Sequence, residues 1–253
     1  MTTTLVTGAT GRLGTPTVAR LRAAGHHVRA LSRRHGDGLT TGDLLTGVGI
    51  ADAFAGAETV VHLATGPSGK GDIQATRTLL DAARAAQVEH VVLISIVGID
   101  EIPLPYYRDK VIIERLVHES GIPCSVLRAT QFHGFIEAIF RRQRRSPVIL
   151  APVARLQPIA VDEVADRLTQ LVDSSACGRV ADIGGPEVHD LPDLARVWAR
   201  TMDTRRPVVP LRVPGKIFRA YRSGAALVPG SPHGQGTFTD HLNAHAASSR
   251  QAR

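Results

Sequence analysis

Cysteine is almost missing from this chain: Cys124 and Cys177 are the only two. Two thiols so far apart give no disulfide framework and no paired ligand spacing, so we expect reduced, buried thiols in a cytoplasmic protein. No long apolar run occurs, which excludes a membrane-spanning helix and leaves no membrane partner expected. The opening Met1-Thr2-Thr3-Thr4 lacks a basic stretch and runs straight into a strand pattern, so no secretory leader is expected. The eleven histidines never fall into a spacing such as H-E-x-x-H, and no metal is expected. Lysine is scarce as well: Lys70, Lys110 and Lys216 stand among 30 basic residues, and tyrosine is limited to Tyr106, Tyr107 and Tyr221.

The formal charge is +7, and its densest source is Arg141-Arg142-Gln143-Arg144-Arg145. No nucleic-acid motif accompanies that run. It reads as a solvated helix end, and no nucleic-acid partner is expected. At 253 residues the chain is long enough for a large domain with a substantial core.

What is present starts at residues 3–7, a short β-branched strand. Gly8, Gly11 and Gly14 follow in a G-x-x-G-x-x-G turn, and then an apolar-periodic helix from Arg12 to Ala24, closed by Gly25. Glycine carries no Cβ, so backbone here can lie against a pyrophosphate, with the positive end of the helix dipole facing the phosphates. We read this stretch as a dinucleotide clamp.

His27–Leu31 is the second strand. It ends in Ser32-Arg33-Arg34, with no acidic residue before Asp37. A carboxylate at this place suits a free 2′-hydroxyl on the adenine ribose, whereas guanidinium groups suit a 2′-phosphate. NADP(H) is therefore expected ahead of NAD(H).

Further on, Gly42-Asp43-Leu44 ends a short third strand, 51–57 forms a short helix, and Thr59–Ala64 is a continuous apolar strand. Gly66–Gly71 reads as a loop: Ala64 and Gly71 stand where a phosphate-binding P-loop requires Gly and Ser or Thr. Asp72 caps a helix reaching Gln87, and His90–Ser95 is the next strand. A helix starting at Pro105 is closed by Gly121 and Pro123, and Cys124–Leu127 follows as a strand. This alternation predicts an α/β fold, a Rossmann-type doubly wound parallel sheet with helices on both faces. Asp162 caps a helix to Val172, Val180–Ile183 is a strand, and 191–201 is a helix. Val208–Val213 is a strand, and 214–226 a helix. We expect a division into 1–155, the nucleotide-binding part, and 156–240, a small C-terminal substrate-binding subdomain interleaved with the sheet. Residues 241–253 are expected as a flexible tail.

The chemistry gathers near Ser95 and the following helix. Tyr106 and Lys110 are four apart on one helical face. A phenol titrates near ~10 in water, and an adjacent ammonium favours the phenolate and brings it toward working range. Tyr107 is the alternative acid, and His133 a candidate second acid–base group. Tyr107, Gln131, Phe132 and His133 are the expected substrate-pocket residues.

Thr7–Gly14, Gly42-Asp43-Leu44, Val61–Ala64, Ser95 and Tyr106-x-x-x-Lys110 together resemble the short-chain dehydrogenase/reductase superfamily. Within it the chain is most similar to the atypical, NmrA-like NAD(P)-binding branch, also through Leu127–Phe132 and Pro158–Ala165. The resemblance implies that Gly8, Gly11 and Gly14 cradle the pyrophosphate, Arg12 and Arg33 the 2′-phosphate, and that Asp43 contacts adenine. It implies that Lys110 binds the nicotinamide ribose and acidifies Tyr106, that Tyr106 protonates a substrate oxygen, and that Ser95 orients that oxygen. The expected cofactor contacts are completed by Thr10, Leu13, Ser32, Arg34, Leu44, Ala64 and Thr65. The implied activity is NADPH-dependent transfer of hydride to or from a small carbonyl, quinone or enone, by a monomer or homodimer. The alternative is a non-catalytic NADP(H)-binding redox sensor or regulator, because members of this branch often lack the tyrosine. Ser95 also precedes Tyr106 by eleven residues, closer than in typical members.

Overall fold

Strands that are buried along their whole length belong in the middle of a sheet covered on both faces, and two segments of this chain behave that way: Thr59–His62 and Cys124–Ala129. The computed structural model describes residues 2–66, 71–230 and 233–251. Its elements begin with β1 (Thr3–Thr7), α1 (Gly14–Ala23), β2 (His27–Ser32), β3 (Leu39–Thr41), α2 (Ile50–Phe54), β4 (Thr59–His62) and α3 (Asp72–Ala85). They continue with β5 (His90–Ile96), α4 (Pro105–His118), β6 (Cys124–Ala129), α5 (His133–Arg141), β7 (Ile149–Pro152), β8 (Arg155–Leu156), α6 (Val161–Val172) and β9 (Gly178–Arg179). The last are β10 (His189–Asp190), α7 (Leu191–Thr201), β11 (Val208–Leu211), α8 (Lys216–Ser223) and α9 (Phe238–Gln251).

The chain forms two compact units. The first comprises Met1–Ser95, Pro105–Arg128 and Val161–Ala181. It is built on a seven-stranded parallel sheet in the order β3-β2-β1-β4-β5-β6-β9. From β1 the chain winds outward to β3, then returns and winds the other way from β4. That reversal makes the gap beyond β1 and β4 the topological switch point, where open α/β sheets bind ligands. Leu5, Leu31, Phe54, Val60, Leu79, Leu93, Ile113 and Val117 are among the buried side chains of its core. On one face α1 packs against α6, and Arg20 bridges Asp162 (2.9 Å) and Asp166.

Several local expectations shift. Asp72 is the first helical residue of α3 rather than its cap; Gly71, at φ +86°, holds the cap position. Asp162 likewise lies within the first turn of α6, where it meets Arg20. The strand expected at 180–183 is β9, two residues earlier, because the apolar pair Val180 and Ile183 is divided between the two units. Val180 N–H donates to Val126, whereas Ile183 bridges Ala129. Cys124 is buried, but Cys177 is exposed in the segment between α6 and β9. Pro67–Lys70, within the loop expected at 66–71, lie outside the described residues.

The second unit comprises Ile96–Leu104, Ala129–Ala160 and Asp182–Arg253. Its centre is α7, which packs on α5, α9, β7, β10 and β11. Leu191, Leu194, Ala195 and Trp198 fall on one face of α7 and are buried, the i, i+3, i+4, i+7 signature of a core helix. Trp198 lies 5.8 Å from the Phe140 ring. Two small sheets complete the unit: β7 with β11, parallel, and β8 with β10, antiparallel. Gly98 is fixed by backbone: at φ +85°, a Cβ there would come within 2.2 Å of the Ala225 carbonyl oxygen. Of the tail expected at 241–253, the described part, through Gln251, is instead the body of α9. Phe238 and Leu242, four apart, are buried, and a Gly- and His-rich context had masked that pair. The basic run does end a helix: α5 stops at Arg141, and Arg142, Arg144 and Arg145 are exposed. No helix among the described residues is long and apolar enough to cross a membrane.

Candidate functional site

The glycine turn is held open by backbone contacts that no side chain would tolerate. Gly8 adopts φ +67°, and a Cβ there would meet the Ala64 nitrogen at 2.8 Å. At Gly14 a Cβ would reach the Gly8 carbonyl oxygen at 2.1 Å and Ala9 at 2.7 Å. The turn thus lies flat against both the start of α1 and the chain leaving β4, at the switch point. Leu13 caps α1 without a side-chain hydrogen bond, and the first turn carries no acidic residue. An uncompensated helix dipole beside a glycine cradle is the electrostatic setting an anion requires, so these residues fit a pyrophosphate. Thr10, Gly11 and Arg12 are exposed on the turn, whereas Leu13 is buried.

A buried histidine fixes the facing edge. His62, at the end of β4, has Thr7 Oγ1 2.8 Å from Nδ1 and Thr76 Oγ1 3.3 Å from Nε2. The Thr76 hydroxyl already donates to the Asp72 carbonyl, at 2.8 Å. His62 Nε2–H is therefore the donor to Thr76, and Nδ1 accepts from Thr7. Thr7 in turn accepts the N–H groups of Leu63 and Ala64, both at 3.2 Å. Burial, reinforced by the Lys110 charge, pushes the His62 pKa down to about 3, so the ring is neutral.

Beyond β4 lies the cluster around Tyr106 and Lys110. Tyr106 Oη is 3.0 Å from Thr65 Oγ1, and Thr65 donates to Asp72 Oδ2 at 2.5 Å. Since a threonine hydroxyl has one proton, Tyr106 must be the donor to Thr65. Asp72 also accepts the Gly66 N–H at 2.8 Å, and the Lys110 ammonium lies 3.7 Å from its Oδ2. Lys110 Nζ faces the Tyr106 ring, 5.4 Å from the centroid. Both Lys110 and Asp72 are buried. The expected four-residue pairing of Tyr106 and Lys110 is present, joined by two residues that the spacing did not indicate, Thr65 in its relay position and Asp72 as counter-charge.

The remaining expected site residues divide. Ser95, near the end of β5, is buried, and its Oγ has no hydrogen-bond partner among the described residues. Ser32 is buried and its Oγ accepts the Arg34 N–H at 3.0 Å, while the Arg33 and Arg34 side chains are exposed beyond β2. Asp43 accepts the Leu45 N–H at 2.9 Å in a tight turn, and Leu44 is buried beside it. Tyr107 is buried in the core, its ring 6.2 Å from that of Tyr106. In the second unit, Gln131 is buried with both side-chain amide atoms unpartnered among the described residues, and Phe132 caps α5. His133 Nε2 donates to the Pro158 carbonyl at 3.1 Å, so that nitrogen carries the proton.

Two clusters, each built on a buried charged side chain, lie outside the motifs singled out in the sequence. Arg128 of β6 forms a two-pronged ion pair with Glu114 of α4, at 2.8 and 2.7 Å. Glu137 of α5 meets His241 and His245 of α9. The His-x-x-x-His spacing of the latter was legible, but it fell in the stretch read as a tail.

The parallel sheet, with the glycine turn at its switch point, defines a Rossmann-type α/β protein. The NmrA-like family matches residues 1–227, and this chain belongs to that family. Photosystem II assembly factor Ycf39 of Cyanophora paradoxa is 29% identical over 144 residues, covering 51% of this chain and 45% of that protein. Sterol demethylase protein B of Methylococcus capsulatus is 42% identical over 114 residues, covering 38% and 35%. The match thus spans less than half the length of either curated relative. In fold, the chain is similar to the Escherichia coli NADPH-dependent quinone oxidoreductase QOR2 solved with NADPH. The TM-score is 0.79 at 17% identity, over 96% of this chain and 99% of that one.

Proposed function

We propose that this protein is an NADPH-dependent oxidoreductase acting on a carbonyl, quinone or enone. The observation that carries the reading is the Tyr106 hydroxyl, a proton donor held by Thr65 beside the buried Lys110–Asp72 pair. Gly8, Gly11 and Gly14 with the start of α1 hold the pyrophosphate, and Thr10 and Leu13 complete that turn. Arg12, Arg33 and Arg34, with Ser32 shaping their turn, bind the 2′-phosphate; Asp43 and Leu44 border the adenine; Ala64, Thr65 and Lys110 serve the nicotinamide ribose. When bound, the nicotinamide supplies or accepts a hydride. Tyr106 gives the balancing proton to the substrate oxygen, and Ser95, whose hydroxyl has no partner among the described residues, orients that oxygen.

Purified protein is mixed with NADPH and a panel of quinones, enones and small carbonyls, and wild type is compared with Tyr106→Phe. Turnover that falls at least a hundredfold in the variant supports the proposal. Equal turnover by both proteins overturns it. The second reading, a redox-sensing regulator, is favoured by one feature: the Tyr106 proton is already satisfied within the cluster. It expects tight NADPH binding without turnover on any substrate.

A further inference from the structure

Glu137 is a carboxylate with a 7% exposed side chain, and two imidazoles converge on the same oxygen of it. Its Oε2 lies 3.1 Å from His241 Nε2 and 2.9 Å from His245 Nδ1. The histidines are four apart on α9, which puts their rings on one face, with centroids 4.4 Å apart. Glu137 reaches them from α5, so the three ligand atoms come from two helices of the same unit and lie within 4.8 Å of one another.

We propose that Glu137, His241 and His245 form a binding site for a zinc-class divalent transition-metal ion, fastening α9 to α5. Two nitrogens and one carboxylate oxygen are a donor set that zinc takes readily, whereas magnesium and calcium prefer oxygen alone. At metal–ligand distances of about 2.0–2.1 Å, tetrahedral ligand atoms stand roughly 3.3 Å apart. The two oxygen–nitrogen separations need to open by only a few tenths of an ångström, and the two nitrogens, which lie within 4.8 Å of each other, need to settle at the same spacing. Without a metal, both nitrogens must carry protons, because a carboxylate only accepts; with one, the protons move to His241 Nδ1 and His245 Nε2. Three protein ligands leave a fourth position for water, and the half-exposed His245 gives the ion a route in from solvent. Nearby charges leave this oxygen to the metal. Arg141 Nη1 lies 3.6 Å from the other carboxylate oxygen, Oε1, and the His133 nitrogen that donates to Pro158 is not a ligand.

The test uses the full chain, free of purification tags and stripped with a chelator. ZnCl2 is titrated calorimetrically, and thermal unfolding is followed with and without it. The wild type is expected to bind one zinc per chain at this site and to melt higher with it. His241→Ala and His245→Gln are each expected to weaken binding at least tenfold and to lose the zinc-dependent rise in Tm, with unchanged circular dichroism in chelator. MgCl2 is expected to give neither effect. Because His245 is half-exposed, its variant tests the site without disturbing the core. The proposal is overturned if the wild type shows no stoichiometric zinc binding, or if His245→Gln binds zinc as tightly as the wild type. Either result leaves the cluster a hydrogen-bonded clamp.

Discussion

Tyr106 donates its phenolic proton to Thr65, 3.0 Å away, because the single proton of Thr65 is committed to Asp72. Phenol, hydroxyl and carboxylate therefore form a directed chain, with Lys110 balancing the carboxylate end. Thr65→Val keeps the shape of this side chain and removes its hydroxyl. We expect kcat to fall roughly tenfold while NADPH affinity falls by no more than about twofold, since the phenol loses its orientation and only one ribose contact is removed, the glycine cradle of the pyrophosphate staying intact. Steady-state kinetics paired with calorimetry measure both. An unchanged kcat in an active enzyme places Thr65 outside the chemistry.

Two glycine substitutions separate crowding from backbone strain. Gly14→Ala drives a Cβ to 2.1 Å from the Gly8 carbonyl oxygen, and only backbone movement relieves it. Urea unfolding is expected to show a loss of about 3 kcal/mol or more, together with weakened nucleotide binding. Gly25→Ala meets nothing within 4 Å but sits at φ +91°. It is expected to cost about 1 kcal/mol and to leave nucleotide binding intact.

Acid stability carries the signature of His62. Its pKa is about 3 in the folded protein against an ordinary 6.5. Between those values the unfolded chain binds a proton that the folded protein refuses, so the contribution is complete above pH 6.5 and is lost as pH falls toward 3. At about 1.4 kcal/mol per unit, the loss is on the order of 5 kcal/mol at the acid end. Burial lowers the His90 pKa too and adds to the same slope. His62→Asn is expected to flatten, without abolishing, the fall in urea midpoint between pH 7 and 4. An equal slope in both proteins refutes the assignment.

The proposed NADPH preference assigns coenzyme choice to the exposed pair after β2, Arg33 and Arg34. Arg33→Ala with Arg34→Ala is expected to raise the Kd for NADPH about tenfold, or about 1.4 kcal/mol, and to leave NADH binding unchanged. Parallel loss of both affinities means that the arginines do not read the 2′-phosphate.

Much of the first unit was legible because its signals are local. Gly8, Gly11 and Gly14 mark a turn by their spacing, Gly8 for its φ of +67° and Gly14 for the closeness of the Gly8 carbonyl, and the buried runs at β4 and β6 announce a two-faced sheet. Tyr106 and Lys110 are found by spacing on a single helix. Thr65 and Asp72 were not assigned their roles, because what joins them to Tyr106 is the meeting of a loop and two helix starts, a contact 41 residues long in sequence. The Glu137 cluster spans over a hundred positions, and α9 itself was hidden because two apolar residues, Phe238 and Leu242, supply its buried face. Periodicity reads an element's own face; it does not read the partner that covers it.

The polypeptide passes from one unit to the other five times, after residues 95, 104, 128, 160 and 181. No single cut can release either body, so splitting this protein into exchangeable halves is ruled out by its threading. During synthesis the flank of β6 stays bare until Gly178–Arg179 leaves the ribosome. A nascent chain halted before that point carries an open hydrogen-bonding rim, and its hazard is sticking to its neighbours.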